Sequence, residues 1–421
     1  MKRIKLGEII ERLIHGGTPS LANESFWIGN IPWITGADFV NQKVVNIRRY
    51  ISAKALKFTA TNLIAEGDLL LVTRTGVGKM AIAPCDIAIS QDITGITFDQ
   101  NAADTEFMYY LLQGKTDHFL ALNQGTSING ITREDLLNLE IEIPSKQEQI
   151  KIVDVLCKVD RAIEQTESLI AKYQRIKTGL MHDLLTRGID EHGRLRNPAT
   201  HKFKPSPLGR IPEEWSTPEL GGQLKEIEQG WSPDCEDEPA VIGEWGVLKT
   251  TSVVWGGFDS CENKRLPKNL TPKRHLEIKI DDVLMTRAGP NSRVGVVAYA
   301  RATQEKLLLS DKIYRLVPKS NLVPEFLSLT LSGYAYQIQL SRMKTGMAES
   351  QTNISQEIVQ CLRIPLPDKE EQMRIVNPLR LTTGLVNIQT TLLAKLKYLR
   401  TGLMQDLLTG KVSVEPLLAA D

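Results

Sequence analysis

The chain has 421 residues, 42% hydrophobic and 24% charged, a globular composition. At roughly 150 residues per domain it is long enough for two to three domains. No apolar run approaches the ~20 residues that cross a bilayer, and the opening MKRIKLGEII is too short in apolar residues to read as a secretory leader. Net charge is +1, so no global field announces nucleic acid or membrane, and any DNA binding would work through local patches. Five cysteines (Cys85, Cys157, Cys235, Cys261, Cys361) form no C-x-x-C pair and read as reduced, mostly buried thiols of a cytoplasmic protein, with no zinc or disulfide framework.

In chain order, residues 1–143 form a first domain of short β-rich runs such as LLLVT (Leu69–Thr73), broken by turns. Residues 144–188 read as a long helix. Residues 189–217 are a polar, proline-bearing linker that ends by docking Trp215. Residues 218–365 form a second mixed α/β domain with runs such as VGVVAYA (Val294–Ala300). Residues 366–410 form a second long helix, and 411–421 a C-terminal tail. The fold class is therefore α+β, with two α/β domains alternating with two long helices.

Internal repetition organises this layout. An offset of 223 residues aligns Pro144–Thr186 with Pro367–Thr409 without a gap, and 18 of the 43 positions are identical, including Thr178-Gly179-Leu180-Met181 against Thr401-Gly402-Leu403-Met404. Matched Gly, Met, Thr and Asp point to gene duplication, and the period is far too long for a solenoid. Each copy opens with a proline and a capping-box pattern, Ser145 with Glu148 and Asp368 with Glu371. The apolar seam runs Ile152, Leu156, Val159, Ile163, Ile170, Tyr173, Leu180, Leu184 in the first copy. In the second it runs Ile375, Leu379, Val386, Leu393, Leu396, Leu403, Leu407. Polar residues interrupt it at Thr166/Gln389 and Lys177/Arg400. Forty helical residues span roughly 60 Å and cannot bury their stripe alone, so the copies are expected to pack on each other. The alternative is that each packs on its own domain. Pro378 should kink the second helix or leave its first part irregular.

The domains echo each other more faintly. GDLLLVTRTG (Gly67–Gly76) parallels DDVLMTRAG (Asp281–Gly289), each an apolar strand running into Thr-Arg-x-Gly: Thr73, Arg74, Gly76 and Thr286, Arg287, Gly289. GTSINGIT (Gly125–Thr132) parallels GMAESQTNIS (Gly346–Ser355). Catalytic patterns are missing. TRTGVGKM (Thr73–Met80) lacks the leading Gly and the hydroxyl after Lys79 of a P-loop, and no zinc motif or nucleophile elbow occurs. Asn197-Pro198 and Asn377-Pro378 do not continue as the N-P-P-Y of an amino-methyltransferase, and Asp234 with Glu277-x-Lys279 is too dispersed for a nuclease site. A binding protein is the better reading.

Residues 1–143 carry 13 basic and 16 acidic side chains, and 218–365 carry 18 of each, so neither domain is basic overall. Basic clusters stand ahead of both Thr-Arg-x-Gly strands: Lys43, Arg48, Arg49, Lys54 and Lys57 in one, Lys264, Arg265, Lys268, Lys273 and Arg274 in the other. With Lys79 and Arg293 near the strand ends, they are candidate DNA contacts; a solvated surface is the bland alternative. Arg74 and Arg287 suit base readout, because arginine reads guanine bidentately, or else form ion pairs with Asp68 and Asp282.

The starts of the long helices, IPSKQEQIKIV and PLPDKEEQMRIV, resemble the I-P-L-P … E-Q-x-x-I-V opening of the spacer helices in specificity (S) subunits of type I restriction-modification systems. SPLGRIPEEW (Ser206–Trp215) and KLGEII (Lys5–Ile10) resemble that family's lead-ins to target recognition domains. The resemblance covers nearly the whole chain. It implies two target recognition domains, pseudo-two-fold related, and antiparallel helices packed as a coiled coil. Each domain would read half of a bipartite double-stranded DNA site, with the helices setting the spacer and docking two methyltransferase subunits. The chain would hold no catalytic residue, metal or cofactor. The complex would methylate adenine with S-adenosylmethionine and, with two restriction subunits, use ATP and Mg²⁺.

Overall fold

The computed structural model describes residues 1–40, 43–44, 47–122, 130–343 and 352–418, the side chains of 43 and 44 excepted. Contacts divide the chain into two units, Met1–Glu167 with Thr391–Asp421, and Ser168–Thr390. Each unit therefore holds one α/β body, half of the first long helix and half of the second.

In unit 1 the strands are β1 (Lys2–Lys5), β2 (Ile10–His15), β3 (Ile31–Ile34), β4 (Arg49–Ile51), β5 (Asn62–Ile64), β6 (Leu69–Val72), β7 (Met80–Ile82), β8 (Ile87–Ile89), β9 (Ile93–Phe98) and β10 (Glu140–Ile143). They build two four-stranded sheets, ordered β2-β9-β6-β7 and β4-β3-β8-β5, and a β1·β10 ribbon. Helices α1 (Thr105–Gln113) and α2 (Thr116–Leu122) precede the long helix α3 (Lys146–Thr186). β6 is buried at all four positions, which is why LLLV reads as a continuous apolar run rather than an alternation.

Unit 2 begins with a hairpin, β11 (Phe203–Ser206) and β12 (Gly209–Pro212). It continues with β13 (Leu224–Gln229), β14 (Gly246–Leu248), β15 (Asn263–Arg265), β16 (Val283–Thr286), β17 (Val297–Tyr299), β18 (Leu307–Leu308) and β19 (Ile313–Pro318). Helices α4 (Pro324–Ser332), α5 (Tyr334–Met343) and the long α6 (Lys369–Leu408) follow. Its sheets are ordered β13-β19-β16-β17 and β15-β14-β18. The first sheets share one strand order, and the second sheets share three strands with one parallel pair each, β3·β8 and β14·β18; at the place of β5, unit 2 has only the isolated bridge Glu277–Leu308. The duplication therefore includes the α/β bodies, where the sequence keeps only traces of it.

The long helices share a core in both units, running antiparallel. In unit 1, Ile152 and Leu156 of α3 are buried in one cluster with Leu407 and Leu408 of α6. Arg400 pairs with Asp160 at 2.5 Å and Lys397 with Glu167 at 2.7 Å. In unit 2, Leu184 joins Ile375, Val376 and Leu379. Of the expected seam, Ile152, Leu156, Leu184, Ile375, Leu379 and Leu407 are buried. Val159, Ile163, Ile170, Tyr173, Leu180, Val386, Leu393, Leu396 and Leu403 are half-buried. Thr166 is buried and returns its hydroxyl to the Ala162 carbonyl at 2.7 Å, so one supposed interruption is satisfied locally.

Three sequence expectations need correction. Helix α6 runs as one helix from Lys369 to Leu408 through Pro378, so its first part is not left irregular, the second of the two outcomes expected of the proline. The thiols are not mostly buried: all five are free, three half-buried, with Cys261 and Cys361 exposed. The second capping box is half formed. Glu371 donates its backbone N–H to Asp368 at 2.7 Å, but its carboxylate turns inward instead of back to the cap.

That carboxylate is 2% exposed and accepts from both terminal nitrogens of Arg196, from Trp215 Nε1 at 3.0 Å and from the Ile189 N–H at 2.9 Å. Gly188, at φ +67°, closes the first long helix beside it. A Cβ there would lie 2.2 Å from Glu371 Oε1 and 2.4 Å from Trp215, so only glycine fits. The linker is thus anchored at Trp215, as its sequence suggested, through a buried charge pair that its sequence did not reveal.

Candidate nucleic-acid interface

The two Thr-Arg-x-Gly segments occupy the same place, the turn that leaves β6 for β7 and β16 for β17. In unit 1, Val72 N–H donates to Lys79 O (2.8 Å) and Gly78 N–H to Val72 O (3.0 Å). Gly76 and Gly78 take φ of +90° and +88°, conformations that cost glycine little. Between two antiparallel strands there is no P-loop geometry, which requires a strand followed by a helix. Thr73 is buried, and its N–H donates to Asp92 O at 2.8 Å. In unit 2, Thr286 is buried against Arg293 O and the Val296 N–H.

Described residues just beyond the adjoining segments bond to these turns in both units. Ile131 N–H donates to Thr73 O at 2.8 Å, and Ile354 N–H to Arg287 O at 2.9 Å. The paralleled segments Gly125–Thr132 and Gly346–Ser355 therefore end on equivalent turns, although 125–129 and 346–351 lie outside the described residues.

The two arginines differ. Arg74 is exposed, and Asp68 accepts instead from Thr97 Oγ1 at 2.8 Å. Arg287 is half-buried, donates Nε to the Asp311 carbonyl at 2.6 Å, and lies 5.6 Å from the Tyr314 ring centre. Asp282 is engaged by Arg315 at 3.1 Å; burial, the largest influence, still lifts its carboxyl above the ordinary range. The ion pairs considered for these arginines are thus replaced by other partners of the same acids.

The basic clusters divide into tethered and outward-facing members. Arg48 pairs with Asp38 at 2.6 Å, and Lys264 with Asp237 at 2.6 Å. Arg265 is ringed by Glu236, Glu238 and Glu244 at 3.3, 2.9 and 3.2 Å. Arg293 spans the Thr250 and Val253 carbonyls. These four work within the fold. Arg49 lies near Trp27 and Trp33, Lys57 near Phe58 and Lys273 near Trp231, at 6.0, 5.8, 5.6 and 4.7 Å from the ring centres. Lys54, Lys268 and Arg274 are exposed, and so is Lys79, whose Nζ reaches Gly36 O at 3.5 Å. The Lys43 side chain lies outside the described residues. Gly289, at φ +142°, has open space where a Cβ would stand.

Sequence reasoning missed three groups. His15 bonds Thr94 through Nδ1 at 3.0 Å; burial first, then the nearby Arg133 and Arg74, hold its pKa below the ordinary value. Arg133 directly follows the loop that docks on Thr73, a connection the parallel loops could have suggested. In unit 2, Lys249 and Lys312 join Lys264 around a cleft of about 330 Å³. Only folding assembles those lysines. Among the described residues no cluster of His, Cys, Asp or Glu could hold a metal ion, and no helix is long and apolar enough to cross a membrane.

Against known proteins, residues 1–173 and 256–398 match the family described as the type I restriction modification DNA specificity domain. The chain belongs to that family. A type I restriction enzyme EcoEI specificity subunit from Escherichia coli is 30% identical over 70% of this chain, which spans about half (48%) of that relative's length. The MjaVIII specificity subunit of Methanocaldococcus jannaschii is 24% identical over 98% of this chain and 93% of its own. The S subunit structure from M. genitalium, 16% identical, superposes with a TM-score of 0.63 over 97% of this chain and 96% of that one, a likeness of fold.

Proposed function

We propose that this specificity-family chain reads a bipartite DNA site, one half with each α/β body, and that it does no chemistry itself. The observation that carries the reading is the repeated body. Both first sheets have one strand order, and in both a Thr-Arg-x-Gly turn leaves the second-last strand and accepts a backbone hydrogen bond, from Ile131 in one and Ile354 in the other. A duplicated reader suits a site with two separated halves. Arg74, with Arg133 beside it, contacts the duplex in one half; Arg287, Lys249 and Lys312 do so in the other. The tethered Arg48, Arg265 and Arg293 hold the loops that carry such contacts.

The antiparallel helices set the spacer between half-sites and dock two methyltransferase subunits. Beyond its seam, α6 exposes Leu381 (71%), Leu385 and Ile388 (63%) in unit 2, and Leu392, Tyr398 and Leu399 in unit 1. Leu381, Leu385 and Ile388 stand three or four apart on an outward helix face, a spacing that suits a partner helix. The assembled complex methylates adenine with S-adenosylmethionine. With two restriction subunits it uses ATP and Mg²⁺ to cleave unmodified DNA, in the cytoplasm where that DNA is met.

Inserting about seven residues into both helices, beside Thr166 and Gln389, keeps the heptad face and adds roughly 10 Å. Sequencing the methylated sites should then show unchanged half-sites separated by up to about three more base pairs at ~3.4 Å each. Unchanged separation with a folded insert would remove the ruler role. Methyl transfer by the pure chain would remove the non-catalytic reading.

A further inference from the structure

Each unit has an apolar groove beside the repeated T-G-L-M-x-D-L-L-T helix segment, and the two grooves are built differently. In unit 2 a cleft of about 900 Å³ is lined by Met181 and Leu185 of α3. In unit 1 the equivalent Met404 and Leu408 of α6 line a cleft of about 680 Å³. The same helix face is thus presented twice, once in each unit. Gly179 and Gly402 lie within the repeated segments, and nothing stands within 4 Å of where their Cβ atoms would be. Glycine inside a helix is destabilising relative to alanine, and its presence in both copies leaves the backbone open to close approach. Such a repeat suits a partner that arrives as two identical copies.

The surroundings are unequal. The unit 2 groove is flanked by Trp255, 52% exposed, and Tyr334, 79% exposed, and is also lined by Leu208 and Ile211 of the β11–β12 hairpin. Large aromatics at the edge of an apolar cleft are the side chains that dominate protein–protein affinity. The hairpin belongs to the linker, which occurs once in the chain. In unit 1 the corresponding rim carries Arg3, Lys115, Glu140 and Glu142 instead. Arg3 and Glu140 pair there in solvent, and such exposed pairs add little.

We infer that the two methyltransferase subunits of the proposed complex load unequally, each inserting an apolar segment into one groove, the unit 2 groove filling first. This rests on the reading that two such subunits dock on the helices. It implies a one-subunit intermediate with its vacancy at unit 1.

The test is a titration of the full chain with its cognate methyltransferase subunit, followed by native mass spectrometry and calorimetry. The wild type should show two steps whose dissociation constants differ roughly tenfold or more, as expected when one site gains two aromatic anchors. Thr178→Glu and Thr401→Glu place a charge at equivalent, exposed positions of the two grooves, where glutamate suits a helix. Thr178→Glu should remove the tighter step and Thr401→Glu the weaker. Trp255→Ala with Tyr334→Ala should bring the steps together without moving the melting midpoint, since both side chains are largely in water. Equal steps, or both steps shifted alike by either glutamate, would overturn the inference and leave the docking of two subunits intact. Loss of duplex DNA binding in Thr178→Glu, with both loading steps unchanged, would make the groove a nucleic-acid surface and also overturn it. No binding by the wild type would defeat the underlying reading itself.

Discussion

Each long helix starts with the same Glu-Gln pair, and the two glutamines do one job while the two glutamates do different ones. Gln149 donates to the Pro144 and Ala102 carbonyls at 3.0 and 3.1 Å and accepts from the Asp104 N–H at 2.8 Å. Gln372 donates to Pro367 and Asn321 at 3.0 Å each and accepts from Val323 at 2.7 Å. Both are fully buried rivets between helix start and α/β body. Glu148 bonds back to Ser145 through backbone N–H and hydroxyl at 2.9 and 2.7 Å, at the surface. Glu371 is buried with Arg196 and Trp215. The linker supplies those partners in unit 2 alone. Duplication copies a local conformation; a one-off neighbour decides what an ionisable group then does.

The sharpest way to break the comparison is to remove both glutamates in turn. Glu371→Ala leaves Arg196 buried without its carboxylate and should cost about 3–5 kcal/mol. Glu148→Ala removes the N3 carboxylate of an exposed capping box whose N-cap Ser145 stays, and should cost about 0.3–1.5 kcal/mol. Burial works against the Arg196 charge, but hydrogen bonding to Glu371 and its charge outweigh that and hold the guanidinium pKa above its ordinary value. Comparable losses in urea melts of the two variants would mean that the buried cluster contributes no more than a cap.

The glutamines should behave alike. Gln149→Leu and Gln372→Leu keep much of the volume but strand buried backbone groups, at about 2–4 kcal/mol each. Their denaturation midpoints should shift by similar amounts. A large effect from one alone would show that the rivets are not equivalent.

How much of this was legible follows from the range of each interaction. Helix periodicity, caps and the repeat are local patterns, so α3, α6 and their seam could be read directly, as could strands β6 and β16 with their Thr-Arg-x-Gly ends. The common strand order could not, because the bodies keep their apolar pattern while their sequences diverge. Nor could the partners of charged residues. Arg265 looked like a free cation beside Lys264, yet folding brings Glu236, Glu238 and Glu244 around it. Asp368 and Glu371 satisfied the capping-box spacing, but nothing local announced Arg196, which lies far away in the linker. The exposed apolar face of α6 also escaped notice, since a heptad seam accounts for only one side of a helix.

The arginines at the repeated turns extend the comparison to DNA. Arg74 is exposed, so Arg74→Ala should leave the melting midpoint unchanged while costing about 1–3 kcal/mol on its half-site. Arg287 also braces Asp311 and stacks near Tyr314, so Arg287→Ala should lower both stability and binding at the other half-site. A panel of single-base variants of each half-site, run beside melting curves, separates these effects. Lower stability with base preferences intact in both halves would leave the arginines as structural.

The smallest expected effect is a proton. Burial, then Arg133 and Arg74, keep the His15 pKa below the ordinary 6.5, so the folded chain holds this imidazole neutral where the unfolded chain protonates it. The unfolded state therefore binds more protons as pH falls through about 6.5, and unit 1 loses stability on acidification across the window between the ordinary and the lowered value. A phosphate bound near Arg74 and Arg133 would offset their repulsion and favour the imidazolium. DNA binding should then take up a proton and strengthen over the same window, opposite in sign to the stability change. His15→Gln should flatten both slopes. Measured by melting and by DNA titration between about pH 7 and pH 5, a stability slope that His15→Gln removes, accompanied by DNA affinity indifferent to pH, would place the duplex away from this patch. The affinity slope should weaken selectively when the unit 1 half-site is scrambled, because His15 belongs to that unit alone.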